Sequence, residues 1–289
     1  EAIVSGQATP AQIGAFLVAE RIKMESAEEL LAFIHTLRKH SFFHPVEHSL
    51  DCAGPYDGRM RSFMATFPAA FVLAACGLPT TLHGSASLPP KWGVTLSDVL
   101  DALQVPVFSA SREALISAAA RTGFLFVPTE QWCEPLGQLR GLRQELSLRT
   151  IFNTAEKLLR FSEAPYMAVG VFHGTVFEKM SSTLLSLGVK QGIIVQGMEG
   201  SEDLPVDRKT RTYVIRDGAS ELLIIDPELL ELSIDVPEAE WSARLQADTS
   251  LAVLQGNAEL PYMNMVLLNS AVRLWISRKA GSIEEGIYI

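Results

Sequence analysis

The 289-residue sequence predicts an α/β protein with a small helical domain and a larger α/β domain, whose central sheet is mainly parallel and flanked by helices. Three observations carry this. Two capped helical patterns open the chain. After Leu50 the texture changes to short apolar runs divided by glycine or proline and alternating with longer helical patterns. An amphipathic helical stretch then returns from Glu134 to about Arg160, so the helical domain is expected to be discontinuous, with residues 1–48 and 133–160 helical and residues 49–132 and 161–289 α/β.

Each element has a local reason. At Thr9-Pro10 a hydroxyl can cap a helix and proline suits its first position, with Ile13, Phe16 and Leu17 on the apolar side. Ser26-Ala-Glu-Glu29 offers a capping box for a second helix to about Arg38. Both helices carry apolar residues on more than one side, which predicts packing on other helices or a homodimer formed through this region. Predicted strands are Pro79 to Leu82, Phe124 to Val127, Gly192 to Gln196 and Arg211 to Ile215. Ala69 to Gly77 and Leu96 to Leu103 read as helices, the latter capped by Thr95 with Asp98 three residues on.

Composition narrows the function classes. An apolar fraction of 48% supplies a substantial core, and no apolar run reaches the eighteen or so residues of a membrane span. Glu1 to Gly6 lacks the features of a signal peptide, and three cysteines fit neither a disulfide framework nor a zinc site, so a cytoplasmic protein is expected. The net charge of -9 argues against a protein coated in positive potential. Even so, Arg140 to Arg160 holds five basic residues against Glu145 and Glu156, whereas Glu221 to Asp248 holds eight acids against Arg244.

Gly6 to Lys23, Ser62 to Gly77, Leu82-His-Gly84, Asp98 to Leu103, Arg143 to Asn153 and Gly192 to Gly200 follow one another in the order and at about the spacing of the anthranilate phosphoribosyltransferase family (glycosyltransferase family 3), which the chain resembles over nearly its whole length. The resemblance implies the two-domain fold, a cleft between the domains that takes a phosphorylated sugar with magnesium, and a homodimer. The chemical motifs depart from it. Where the family has a Gly-Thr-Gly-Gly-Asp loop that lets backbone amides approach a diphosphate, this chain reads Asp51-Cys-Ala-Gly-Pro-Tyr-Asp-Gly58, in which Pro55 removes a donor and Tyr56 fills space. Asn-x-Ser-Thr becomes Met64-Ala-Thr-Phe67, and Lys-His-Gly-Asn-Arg becomes Leu82-His-Gly-Ser-Ala86. The Asp-Glu pair that holds magnesium stands reversed as Glu202-Asp203, still oxygen donors. Arg143 matches an arginine near anthranilate in the family, which leaves a carboxylate or phosphate contact available.

The resemblance thus implies a substrate site at Gly54, Asp57, Thr66, His83, Gly84, Ser85 and Arg143, with Glu202 and Asp203 as metal ligands and ordinary anthranilate phosphoribosyl transfer impaired or lost. A divergent branch of the family lacks the glycine-rich loop and includes nucleic-acid-binding dimers. Its reading would use Arg59, Arg61, Lys91, Arg140, Arg143, Arg149, Lys157 and Arg160 as a basic groove for single-stranded nucleic acid. Plainer readings stand beside these. Glu202-Asp203 can be an exposed acidic turn, the arginines of 140–149 a solvated helical face pairing with Glu145, and His35, His40, His44 and His48 a solvated turn rather than a metal site. Trp132 and Cys133 read as packing residues.

Overall fold

The structure, a computed structural model, describes all 289 residues. Helices α1 (Pro10–Lys23) and α2 (Ala27–Lys39) open the chain, each with a complete capping box, built by Thr9 with Gln12 and by Ser26 with Glu29. On α2, Leu30, Ile34 and Leu37 have no exposed surface, which at roughly 1.5–3 kcal/mol per buried side chain anchors the helix. Helix α1 is held less fully. It buries Ile13 and Leu17 but leaves Phe16, Ile22 and Met24 in solvent.

The chain then alternates strand and helix through β1 (Leu50–Ala53), α3 (Thr66–Ala75), β2 (Thr80–Gly84), α4 (Leu96–Ala102), α5 (Arg112–Thr122) and β3 (Phe124–Pro128). The helical return predicted from Glu134 is a series of short pieces rather than one helix. They are α6 (Thr129–Trp132), α7 (Glu134–Gln138), α8 (Arg140–Leu146), α9 (Phe152–Ala155) and a 3₁₀ turn at Glu156–Leu158. Ser147, at φ 50°, ends α8. There follow β4 (Tyr166–Gly170), α10 (Phe177–Ser186), β5 (Gln191–Val195), β6 (Thr210–Arg216), β7 (Ala219–Ile225), α11 (Ala243–Leu254), α12 (Leu260–Ile276) and α13 (Ile283–Tyr288).

The strands form one sheet in the order β3-β2-β1-β4-β5-β6-β7. The first five are parallel, and β6 and β7 add antiparallel to the edge. Alternation along the strands divides the core in two. Ala168, Ile193 and Val195 face a core shared with Leu73 of α3 and with Met265 and Leu268 of α12. Met167, Val169 and Ile194 face a second core that joins Leu30 and Ile34 of α2 to Leu136, Phe152 and Leu158. Both ends of the helical part therefore share one apolar cluster against the sheet.

The predicted strands emerge as β2, β3, β5 and β6 with small shifts at their ends. Three others carried no mark in the sequence. β1 contains Asp51, β4 is Tyr-Met-Ala-Val-Gly with few strong strand formers, and β7 is exposed along most of its length, which removes the alternation that signals a half-buried strand.

The strand order reverses between the parallel neighbours β1 and β4, whose carboxyl ends open the crevice where α/β proteins bind ligands. Two glycines close the loops over this edge. Gly58, at φ 76°, packs where a Cβ would lie 2.3 Å from the Gly93 carbonyl oxygen, and a Cβ on Gly170 would lie 2.1 Å from the Ser201 carbonyl carbon. Gly170→Ala is expected to cost about 1–3 kcal/mol by overpacking, measurable as a lower urea midpoint, whereas Gly141→Ala, which meets nothing within 4 Å, should be near neutral.

Candidate functional site

The carboxyl edge of β1 and β2 carries a buried polar chain. Asp51 Oδ1 lies 3.0 Å from His83 Nε2, His83 Nδ1 bonds to the Tyr56 hydroxyl, and that hydroxyl lies 2.6 Å from Thr129 Oγ1. With a neutral imidazole, His83 Nε2–H donates to Asp51, Tyr56 donates to Nδ1, and Thr129 donates to Tyr56, which satisfies all three bonds. Burial, helped by the charge of Glu156, pushes the Tyr56 hydroxyl well above its ordinary range, so it stays protonated.

Glu202 and Asp203 follow β5 and are 1% and 0% exposed, which overturns the reading of an exposed acidic turn. They also differ from each other. Asp203 accepts from Arg59 Nη1 at 2.7 Å, Arg273 Nη2 at 2.9 Å and the Thr66 amide at 3.1 Å. Burial alone would raise its carboxyl, but the Arg59 and Arg273 guanidinium groups outweigh it and hold the carboxyl below the usual range. Neither carboxylate oxygen of Glu202 has a hydrogen-bond partner, and Arg59 Nη2 stands 3.7 Å from Oε1. The Thr66 hydroxyl is likewise unpartnered. Glu202 and Thr66 line one small cavity of about 30 Å³ with Gly54, Tyr56, His83, Gly84 and Ser85. That is room for little more than a water.

The basic residues separate by what they already hold. Arg143 is buried in a bidentate pair with Glu156 at 2.7 and 2.9 Å, so the carboxylate contact expected there is taken by the chain itself. Arg140 pairs with Glu130 at 2.7 Å and donates to the Ala86 and Ser87 carbonyls. Arg160 is buried and donates to the carbonyls of Leu187 and Ala164. Neither Arg140 nor Arg143 pairs with Glu145, so the solvated-face reading falls as well. Arg59 and Arg160 are corrected from groove cations to internal braces.

Four cations remain at the mouth. Arg61 is exposed. Lys91 lies 3.3 Å from Asp57 Oδ1, and Arg149 bonds to Asp57 Oδ2. Lys157 Nζ lies 3.4 Å from the carbonyl oxygens of Gly170 and Gly200. Burial first, then the nearby Arg149 charge, lowers the Lys157 ammonium to about 8.

Several of these partners were hidden in the sequence. Arg273 has no motif, and its only signal is a charge inside the apolar run of α12. Asp51, Thr129 and Glu156 had none. His35, His40, His44 and His48 form no metal-ligand group, and Trp132 and Cys133 are buried as packing residues predict.

The residues present do not fit a two-carboxylate magnesium site. Both Asp203 oxygens are bonded to guanidinium groups, and the charge of Arg59 beside Glu202 opposes a second cation.

Comparison with known proteins settles the kinship. The glycosyl transferase family a/b domain matches residues 57–288, and the family's helical bundle domain matches residues 1–41. An anthranilate phosphoribosyltransferase of Syntrophotalea carbinolica is 33% identical over 99% of this chain and 86% of its own length. The chain belongs to the anthranilate phosphoribosyltransferase family. A Desulfitobacterium hafniense anthranilate phosphoribosyltransferase is 31% identical over 99% of this chain and 84% of its own. Among solved structures, the Thermus thermophilus anthranilate phosphoribosyltransferase superposes with a TM-score of 0.82 at 25% identity, covering 99% of this chain and 86% of that one. The Saccharomyces cerevisiae enzyme in complex with PRPP and Mg gives 0.81 at 20% identity, over 96% and 79%. These confirm the small helical domain and the larger α/β domain with a mostly parallel sheet. No helix is long and apolar enough to cross a membrane.

Within this family member, the two adjacent acids should answer substitution differently. Asp203→Asn strands two buried guanidinium groups and is expected to cost about 3–5 kcal/mol, whereas Glu202→Gln removes a buried charge whose oxygens accept no hydrogen bond and whose nearest cation, Arg59, already holds Asp203, and should leave urea stability unchanged or raised. Because the Asp203 carboxyl is held low in the folded state, its stabilisation is complete above about pH 4 and lost as the pH falls through the folded value. Asp203→Asn should therefore also flatten the acid limb of the stability profile.

Proposed function

We propose that this family member keeps a cleft for a phosphorylated sugar or related anion, between a helical part (1–48 and 133–160) and an α/β part (49–132 and 161–289), while ordinary anthranilate phosphoribosyl transfer is impaired or lost. The loss of ordinary transfer rests above all on the small size of the cavity among Gly54, Thr66, His83, Gly84, Ser85 and Glu202, about 30 Å³. A small-molecule site needs roughly 300–1,000 Å³. The deep position is filled by the chain's own groups, with Tyr56 on His83, Glu156 on Arg143, and Arg59 with Arg273 on Asp203. PRPP and Mg are bound by the yeast relative. Here the internal pairs would have to break before a diphosphate and its metal could take that place.

Transition-state support for a leaving diphosphate comes from aimed cations and donors, and losing one such group typically costs about 10²–10³ in rate. With several absent, production of phosphoribosyl anthranilate, followed by fluorescence, is expected to lie more than about a thousandfold below a Thermus thermophilus control. A rate within tenfold of that control would sink the proposal. In calorimetry, any heat with PRPP should be independent of magnesium, and magnesium-dependent saturation would restore Glu202 and Asp203 as ligands.

A basic groove for single-stranded nucleic acid has less support, because Arg59, Arg140, Arg143 and Arg160 are committed internally. A homodimer through the N-terminal helices is supported by exposed Phe16, Ile22 and Met24. Light scattering is expected to give twice the chain mass, and Ile22→Glu to shift it towards the monomer. A monomeric wild type would contradict this.

A further inference from the structure

We propose that Lys91, Arg149 and Lys157 form a binding site for a phosphate-type oxyanion at the mouth of the crevice, with Asp57 as its internal competitor. This deepens the cleft reading above and rests on it.

The three cations come from separate parts of the chain and meet only in the fold. Lys91 lies in the loop after β2, Arg149 in the segment before α9, and Lys157 in the 3₁₀ turn after it. Lys91 Nζ donates to the Glu199 carbonyl at 3.2 Å, and Lys157 Nζ lies 3.4 Å from the carbonyl of the next residue, Gly200. Lys91 and Arg149 meet again on the two oxygens of Asp57. Three positive groups thus surround one small patch, and a single carboxylate serves two of them.

The other acids nearby are turned elsewhere. The Glu199 carboxylate accepts from the amides of Met60 and Arg61 and from the Ser62 hydroxyl. Glu202 faces the deep cavity, and Lys157 makes no ion pair within 4.0 Å. An ammonium largely removed from water and held only by two long carbonyl contacts is an expensive arrangement for packing alone. An arriving oxyanion would supply the missing countercharge. Burial, then the Arg149 charge, lowers the Lys157 ammonium to about 8, against the pull of Glu202 and Asp57.

The site suits one compact group. Arg149 also lies 5.9 Å from the centre of the half-exposed Phe172 ring, which sets an apolar group beside the cations. A nucleic-acid strand would need a row of free cations, and Arg59, Arg140, Arg143 and Arg160, which could extend one, are locked into internal bonds, leaving only Arg61 beside the three.

The test is calorimetry of the full chain with ribose 5-phosphate in magnesium-free, low-salt buffer. Wild type is expected to bind saturably, Lys157→Gln about tenfold more weakly and Asp57→Asn about tenfold more tightly, since the latter frees two cations from their competitor. Lys157→Gln removes a charge without a carboxylate partner, so its fold should survive, as melting curves run alongside would verify. Inorganic phosphate binding as tightly as the sugar phosphate would support the site and assign it to the phosphate group alone. Unchanged affinity in Lys157→Gln would overturn the proposal while leaving the cleft reading intact. Absence of heat with ribose 5-phosphate but not with PRPP would do the same, whereas absence with both would overturn the cleft reading too. A single-stranded oligonucleotide that outcompetes ribose 5-phosphate through Lys157 would overturn the choice of a small ligand.

Discussion

The bond set around Asp203 holds the carboxyl edge of the sheet in its present form. One buried carboxylate receives Arg59 from the loop after β1, Arg273 from α12 and the amide of Thr66 at the start of α3. Each guanidinium would be costly to bury alone, and so would the carboxylate. Together they fix three elements relative to β5, and the loop positions of Gly54, Tyr56 and Asp57 follow. Tyr56 can then reach His83 and Thr129, and Asp57 can reach Arg149 and Lys91. The geometry of the crevice is downstream of that anchor.

A common theme runs through the site. The chain's own groups pair with one another at this edge. Tyr56 closes over the strand end, Glu156 takes both nitrogens of Arg143, and two arginines take the oxygens of Asp203. Such pairs do little more than repay the desolvation of their members. Both Glu202 carboxylate oxygens and the Thr66 hydroxyl are buried without a hydrogen-bond partner, as are Asp51 Oδ2 and Arg273 Nη1.

Local signals in the sequence carried the fold a long way. Thr9 and Ser26 announced their helices through capping chemistry, and the apolar runs bounded by glycine and proline located β2, β3, β5 and β6. His83 and Gly84 were legible as the end of a strand, because a strand end in an α/β protein is also a ligand edge. The pairings of the site were another matter. Arg273 lies 70 residues from Asp203, and no pattern in α12 connects them. Arg160 looked like a free cation because its acceptors are backbone carbonyls, which every residue carries and no sequence distinguishes. Glu202 and Asp203, identical in class and adjacent in the chain, have opposite fates that depend entirely on which way the loop after β5 turns.

The most direct measurement is a crystal structure of the protein grown with PRPP and magnesium. The expected result retains Arg59 and Arg273 on Asp203 and Glu156 on Arg143, with any bound phosphate beside Lys91, Arg149 and Lys157. A magnesium ion held by both Glu202 and Asp203, with the two arginines displaced and the crevice opened around a diphosphate, would contradict the claim that this chain fills its own active position.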